Sequence, residues 1–284
     1  MAKDTFLNRK ATLNSKGKPI ELNGQAVMAI LNLTPDSFYG ESRAAGMEEA
    51  LRKTETFLNE GAKFIDIGAY SSRPGATDIS PDEELQRLIP VVEALAKTFP
   101  EALLSIDTFR ARVAKEAILA GAHLINDISG GSLDETMFAT VAELQVPYIM
   151  MHMKGTPQNM QQNPSYENVV LEVFQYFDKK IAELKELGAK DIIIDPGFGF
   201  AKTTEHNYEL LRQLQVLNGF GLPILAGFSR KSMVTKVLHN KAADALNGTT
   251  VLNTIALLKG AAILRVHDVK EALECIKLVN MATA

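Results

Sequence analysis

The chain of 284 residues sets 30 Lys and Arg against 34 Asp and Glu, so a net charge of -4 gives no electrostatic case for a nucleic acid or an anionic membrane. Its 46% apolar and 23% charged residues are those of an ordinary globular protein with enough chain for a large core. One cysteine, Cys275, excludes an intrachain disulfide or a cysteine metal cage, and no apolar run reaches transmembrane length.

Residues 1–10 carry charges without the apolar stretch of a secretory leader, and a cytoplasmic protein is expected. Ala11-Thr-Leu and Pro19-Ile-Glu-Leu flank Asn14-Ser-Lys-Gly17, which reads as a β-hairpin capping one end of a larger body. From residue 26 the pattern becomes regular. Val27–Leu31 is a short apolar strand, and a helix follows over roughly Met47–Asn59. The next strand is Lys63-Phe-Ile-Asp66-Ile-Gly68. Ser80-Pro81-Asp82-Glu83 opens a further helix with a capping serine, proline at the first position and glutamate at the third. Its stripe of Leu85, Leu88, Val92, Leu95 and Phe99 has helical spacing.

Four Gly-Ala pairs, at residues 61, 121, 188 and 260, each close a helix and lead into a strand. Those strands end at Asp66, Asn126, Asp195 and Arg265. Between them lie Val27–Leu31, Leu103–Ile106, Tyr148–Met150 and Ile224–Ala226. Eight strands alternating with eight helical stretches, at about thirty residues per unit, predict an α/β protein built as a (β/α)8 TIM barrel. The N-terminal β-hairpin (1–25) and the barrel (26–284) are expected to form one domain spanning 1–284, since no Pro-, Gly- or Ser-rich linker interrupts the chain. An open doubly wound sheet is the alternative, and it lacks its usual Gly-x-Gly-x-x-Gly turn here.

In a barrel the chemistry lies at the C-terminal ends of the strands. Those ends carry Asn32 and Thr34, Asp66, Asp107, Asn126 and Asp127, His152, Asp195, Ser229-Arg230-Lys231, and Arg265 with His267. Asp66 reads as structural, holding backbone amides of the next loop. Asn126 or Asp127 suits a cap, and His152, between two methionines, suits core packing. His123, His206 and His239 receive no function. Asp107, Asp195, Asn126 and Lys231 would converge deep in one mouth. Aspartate there can accept two hydrogen bonds from an amino-pyrimidine edge, while asparagine and lysine read ring acceptors. An internal charge network that merely plugs the barrel is the competing reading. Arg265 and His267 could hold phosphate oxygens beside Lys231 and Asn32. Asp195-Pro-Gly-Phe-Gly-Phe200 ends a β-branched strand in a turn, with Phe198 read as packing. Oversized polar loops at 34–40 and 71–75 read as lids or substrate loops.

Eight motifs carry a resemblance. Asn32-Leu-Thr-Pro-Asp-Ser-Phe38, Ser72-Arg-Pro-Gly75, Ser105-Ile-Asp-Thr108 and Asn126-Asp-Ile128 resemble dihydropteroate synthases. Met151-His-Met-Lys-Gly155, Asp195-Pro-Gly-Phe-Gly-Phe200, Ser229-Arg-Lys231 and Arg265-Val-His267 do so too, and the match runs in order through residues 27–268. The resemblance implies a (β/α)8 barrel that joins 6-hydroxymethyl-7,8-dihydropterin pyrophosphate to p-aminobenzoate in folate synthesis, releasing pyrophosphate by dissociative substitution at the pterin methylene. It implies that Asp107, Asn126, Asp195 and Lys231 hold the pterin. Asn32, Arg265 and His267 would hold the pyrophosphate, with Mg²⁺ beside them and Asn32 as its ligand. Ser229, Lys231, Phe200 and Pro74 would border p-aminobenzoate, while Thr34, Asp36, Ser72 and Arg73 arrive on the loops. The implied catalytic set is Asp36, Arg73, Asp107, Asp195, Lys231 and Arg265.

A homodimer through the later helices is also implied, with Leu252, Ile255, Leu258, Leu273 and Ile276 suiting either core or interface. The chain departs from the family's Gly-Glu-Ser-Thr-Arg-Pro-Gly at Ala69, Tyr70 and Ser72, and from Ser-Asp-Gly at residues 39–41. Alternatives are a pterin-binding methyltransferase, which would need a corrinoid partner, and a non-catalytic pterin-binding protein.

Overall fold

A tight hairpin begins the described residues. β1 (Lys10–Ser15) pairs antiparallel with β2 (Lys18–Asn23). Lys16 and Gly17 both take positive φ, 53° and 82°, as a two-residue turn matched to strand twist requires. Asn14 Oδ1 accepts the Gly17 N–H at 2.8 Å. The computed structural model describes residues 10–33, 43–71, 78–160, 162 and 164–283.

The barrel strands are β3 (Ala26–Asn32), β4 (Phe64–Gly68), β5 (Leu103–Asp107), β6 (Leu124–Asp127), β7 (Tyr148–Met151), β8 (Ile192–Asp195), β9 (Leu225–Ala226) and β10 (Ile263–Val266). They form one parallel eight-stranded sheet in the order β8-β7-β6-β5-β4-β3-β10-β9. A single bridge between Ile194 and Ile224 joins its two edges. This is the barrel that the strand-helix alternation predicts. Ile224 contributes that bridge rather than a strand residue, and most other strands run one residue longer than their apolar cores.

Helices α1 (Arg43–Glu60), α2 (Pro81–Thr98), α3 (Ala111–Leu119), α4 (Met137–Leu144) and α5 (Val169–Glu186) alternate with the first strands. α6 (Thr204–Arg212), α7 (Ser232–Leu238), α8 (Leu246–Leu258) and α9 (Val269–Thr283) follow the later ones. α1 starts four residues earlier than its apolar periodicity indicated, its first turn including the exposed Ala44 and Ala45 and the side-chain-less Gly46. Ser80 caps α2 by accepting the Glu83 N–H. The four Gly-Ala junctions share one geometry. Ala62, Ala122, Ala189 and Ala261 each donate to a carbonyl five residues back, on Phe57, Ala117, Leu184 and Ala256. Gly61, at φ 98°, shows why glycine stands there: the reversal needs a left-handed residue.

Strand alternation divides the interior into two cores. Val27, Ala29, Leu31, Ile65, Ile67, Leu104, Ile106, Ile125, Ile192, Ile194 and Leu264 face outward to the helices. Met28, Phe64, Leu124, Ile149, Ile193, Leu225 and Ile263 face inward, where Leu13, Ile20 and Leu22 of the hairpin close the barrel floor. The expected cap is thus in place. Cys275 is a buried free thiol of the helical core. Of the five apolar residues offered for core or interface, Leu252 and Ile276 are buried and Ile255 and Leu273 pack against the core. Leu258 is exposed. No helix among the described residues is long and apolar enough to cross a membrane.

Candidate active site

Each inward apolar residue of the floor is followed, two positions on, by the next inward side chain. On β4 this is Asp66, on β5 Ser105 and then Asp107, on β6 Asn126, on β8 Asp195 and on β10 Arg265. Period-two alternation therefore gathers the polar strand ends inside one mouth.

Asp66 is fully buried, and its Oδ2 accepts from Arg265 Nε at 2.6 Å and from Asn126 Nδ2 at 2.9 Å. This corrects the expectation that Asp66 holds loop amides: its position in the strand turns it inward to Arg265. Arg265 Nη2 also donates to Asp107 Oδ2 at 2.7 Å. One guanidinium thus bridges two carboxylates, and the pair raises its pKa further against the opposing effect of burial. Burial pushes the Asp107 carboxyl up to about 7, with Arg265 drawing it down and Asp66, Glu84 and Asp127 adding to the rise. Asn126 spends its amide N–H on Asp66, which leaves its carbonyl for a ligand.

The next residue, Asp127, points outward and holds the turn after β6, so neither it nor Asn126 caps the helix that follows, whose N-cap is Thr136. Asp127 accepts from the Ser129 N–H at 2.7 Å, the Gly131 N–H at 2.8 Å and the Tyr148 hydroxyl at 2.7 Å. Asn32 is exposed at the lip of β3. A Cβ on Gly68 would lie 3.5 Å from Asp107 Cβ and 3.7 Å from Asn32 Oδ1, so both residues flank that glycine.

Asp195 ends β8, nearly buried, and its Oδ1 accepts the Gly197 N–H at 2.8 Å. Burial raises its pKa, while Lys231, that N–H and Arg265 oppose the rise. Lys231 Nζ donates to Phe198 O at 2.6 Å and lies 4.8 Å from the centre of the Phe200 ring. Burial pushes the Lys231 ammonium down to about 8, against Asp195. A Cβ on Gly227 would meet Arg265 Cβ at 3.6 Å and Lys231 Nζ at 3.7 Å, so both residues flank that glycine. Phe198 is buried against Phe228, ring centres 4.6 Å apart, and so is packing as expected.

Ser229 Oγ and His267 Nδ1 are 2.9 Å apart. Arg230 between Ser229 and Lys231 has φ 60° and pairs with Asp268 at 2.7 Å. Thr34, Asp36, Ser72, Arg73 and Pro74 lie outside the described residues.

Two groups escaped the sequence reading. Buried Glu84 of α2 accepts from Thr108 Oγ1 at 2.8 Å and from Arg110 Nη1 at 2.7 Å, tying the end of β5 to the helix behind it. Its spacing is that of an ordinary first-turn glutamate, so no pattern marks it. His152 is core, as expected, but its Nδ1 lies 3.0 Å from the ammonium of Lys202. Lys202 itself closes the stretch that begins at Asp195, and only its burial in the fold reveals it.

A sequence model of a family described as pterin binding enzymes matches residues 28–267. The dihydropteroate synthase of Escherichia coli K12 is 43% identical over 270 residues, covering 94% of this chain and 95% of that protein. The chain belongs to the dihydropteroate synthase family. Among solved structures, the Xanthomonas albilineans dihydropteroate synthase with 4-aminobenzoic acid aligns with a TM-score of 0.89 at 35% identity, covering 97% of this chain and 99% of that one. The Yersinia pestis dihydropteroate synthase in a sulfonamide drug complex aligns with a TM-score of 0.87 at 41% identity, covering 96% and 98%. Membership of the dihydropteroate synthase family leaves the corrinoid-dependent methyltransferase alternative without support.

Proposed function

We propose that the chain is a transferase that condenses 6-hydroxymethyl-7,8-dihydropterin pyrophosphate with p-aminobenzoate, giving 7,8-dihydropteroate and pyrophosphate. The observation that carries this reading is that Asp107, Asn126 and Asp195 stand with Arg265 and Lys231 at neighbouring strand ends of one barrel mouth, Arg265 bridging Asp66 and Asp107. A flat, hydrogen-bonding heterocycle with an anionic tail meets both sets of demands.

Asp107, Asn126, Asp195 and Lys231 would hold the pterin. The carboxylates accept from its amino-pyrimidine edge, and the Asn126 carbonyl accepts from a ring N–H. Arg265 keeps N–H groups beyond those on Asp66 and Asp107 and would reach the pyrophosphate, with His267 beside it and Ser229 orienting that ring. The Phe200 ring and Lys231 would border the arylamine, together with Pro74. Thr34, Asp36, Ser72 and Arg73 are assigned to the substrate loops by family membership alone.

In the reaction the bond from the pterin methylene to the pyrophosphate oxygen breaks, and the arylamine nitrogen bonds to that carbon and loses a proton. Positive charge spreads over the dihydropterin ring as the leaving group departs. Asp107 and Asp195 then bind the ring better than in the ground state, which lowers the barrier. Arg265 holds the charge of the departing group.

The residues fit Mg²⁺ in a limited way. Asn32 offers a hard amide oxygen at the exposed lip, and no group of three or more His, Cys, Asp or Glu among the described residues could cage a metal. Mg²⁺ commonly takes only one or two protein oxygens and fills its shell with phosphate oxygens and water. When bound it would neutralise charge on the leaving pyrophosphate.

The arrangement of α7 to α9 supports a homodimer. Val237, Leu238, Val251, Leu258 and Leu278 are exposed there. A groove of about 430 Å³ beside them is lined by Leu246, Thr250, Cys275 and Leu278. Light scattering should give twice the chain mass.

The deciding assay is pyrophosphate release with each substrate alone and with both. Release that requires both is expected. Pterin binding without arylamine-dependent release would instead indicate a non-catalytic pterin-binding protein.

A further inference from the structure

The turn after β8 is held by two lysines, and only one of them, Lys231, belongs to the substrate set described above. The other is Lys202, 4% exposed. Its Nζ lies 3.1 Å from Gly197 O, 3.2 Å from Phe200 O and 3.0 Å from His152 Nδ1. Three ammonium donors therefore meet three neutral acceptors, with His152 protonated on its other ring nitrogen.

Lys231 holds the carbonyl between these two, that of Phe198. The packing is equally divided. A Cβ on Gly197 would come within 3.3 Å of Lys202 Nζ, and one on Gly199 within 3.0 Å of Lys231 Cδ. Desolvating an ammonium is costly, and burial holds Lys202 down to about 7 against the attraction of Asp195. A turn needing only apolar support would be served by leucine or methionine.

We propose that Lys202 is a positioning residue for the arylamine half of the site. By holding the Gly197 and Phe200 carbonyls, it sets where the Phe200 ring and the Phe198 carbonyl stand, and through them Lys231. The inference rests on the proposed function, in which the Phe200 and Lys231 side receives p-aminobenzoate. Asp195 is the last residue of β8 with its carboxylate on the Gly197 N–H, and Lys202 favours its charged form less than Lys231, that N–H and Arg265 do. The pterin side should therefore tolerate loss of Lys202 better than the arylamine side.

The test is Lys202→Met in the full chain, which keeps the stem and removes the ammonium. The KM for p-aminobenzoate should rise at least about tenfold, while the Kd for the dihydropterin pyrophosphate changes less than about threefold, the scale expected from small displacements of a positioned group. Combined with Phe200→Leu, it should add little to the KM defect of Phe200→Leu alone, since both act through one ring. Equal weakening of both substrates, an unchanged KM, or fully additive defects would overturn the inference. If Lys202→Met does not fold, Lys202→Gln is judged by the same constants. The unmodified protein separates the two claims: if it shows no arylamine-dependent pyrophosphate release, the proposed function fails, whereas normal release with an equal loss of both substrates in the variant rejects only the role of Lys202.

Discussion

The floor and the mouth of the barrel are built from the same strands, two residues apart, and they solve opposite problems. At the floor, Met28, Phe64, Leu124, Ile149, Ile193 and Ile263 meet the hairpin's Leu13, Ile20 and Leu22 in one apolar cluster. At the mouth the next inward positions are Asp66, Asn126, Asp195 and Arg265, all removed from bulk water to some degree. The floor gains from burial, at about 1.5–3 kcal/mol for each large apolar side chain. The mouth incurs desolvation, offset by Arg265 bridging Asp66 and Asp107. The contrast teaches that one structural period can carry stability at one end and chemistry at the other.

The contrast breaks most severely at Arg265. Arg265→Met would leave buried Asp66 and partly buried Asp107 without their cation, at a cost of about 3–5 kcal/mol in folding stability. Urea unfolding measures that loss, and assays of any folded fraction should show activity falling as well. Phe64→Ala should cost a similar amount, about 3–5 kcal/mol, through a cavity in the floor. Both KM values should stay within about twofold if floor and mouth are energetically separate. A large KM change in that variant would show that they are coupled.

Asp195→Asn keeps shape and removes charge, so stability should change little. The loss should appear in kcat/KM, on the order of 2–4 kcal/mol. An unchanged rate would remove Asp195 from the proposed mechanism.

The smallest expected effect concerns pH. Burial holds the His152 imidazole well below its ordinary 6.5, with Lys202 and Lys154 adding to the drop. The unfolded chain therefore binds a proton near 6.5 that the folded chain refuses. Stability from this group is present above that pH and lost as pH falls below it. Comparing urea midpoints at about pH 7.5 and 5, the acid loss should be about 1–2 kcal/mol smaller in His152→Gln than in the unmodified protein.

Much of the barrel was legible because its signals are local. The Gly-Ala junctions need only the left-handed C′ residue, and Ser80-Pro81 needs only the first turn of its own helix. The strand ends named Asp107, Asn126, Asp195 and Arg265 as candidates for the same reason. Asp66 was misread because its partner Arg265 lies 199 residues away, beyond any local pattern. Glu84 and Lys202 had the same obstacle: a glutamate in a first helical turn and a lysine after a glycine-rich turn look solvent-exposed until burial is known.

Composition, periodicity and turn chemistry thus determined the number of units, the hairpin and which residues stand at strand ends, since backbone sterics and side-chain alternation act within a few residues. Tertiary structure alone decided the partners. Closing the sheet at Ile194 and Ile224 curls distant strands around one axis and brings Asp66, Asp107 and Asn126 within a bond of each other or of Arg265. Desolvation and charge pairing depend on such three-dimensional distances, and a linear sequence does not contain them until the barrel closes.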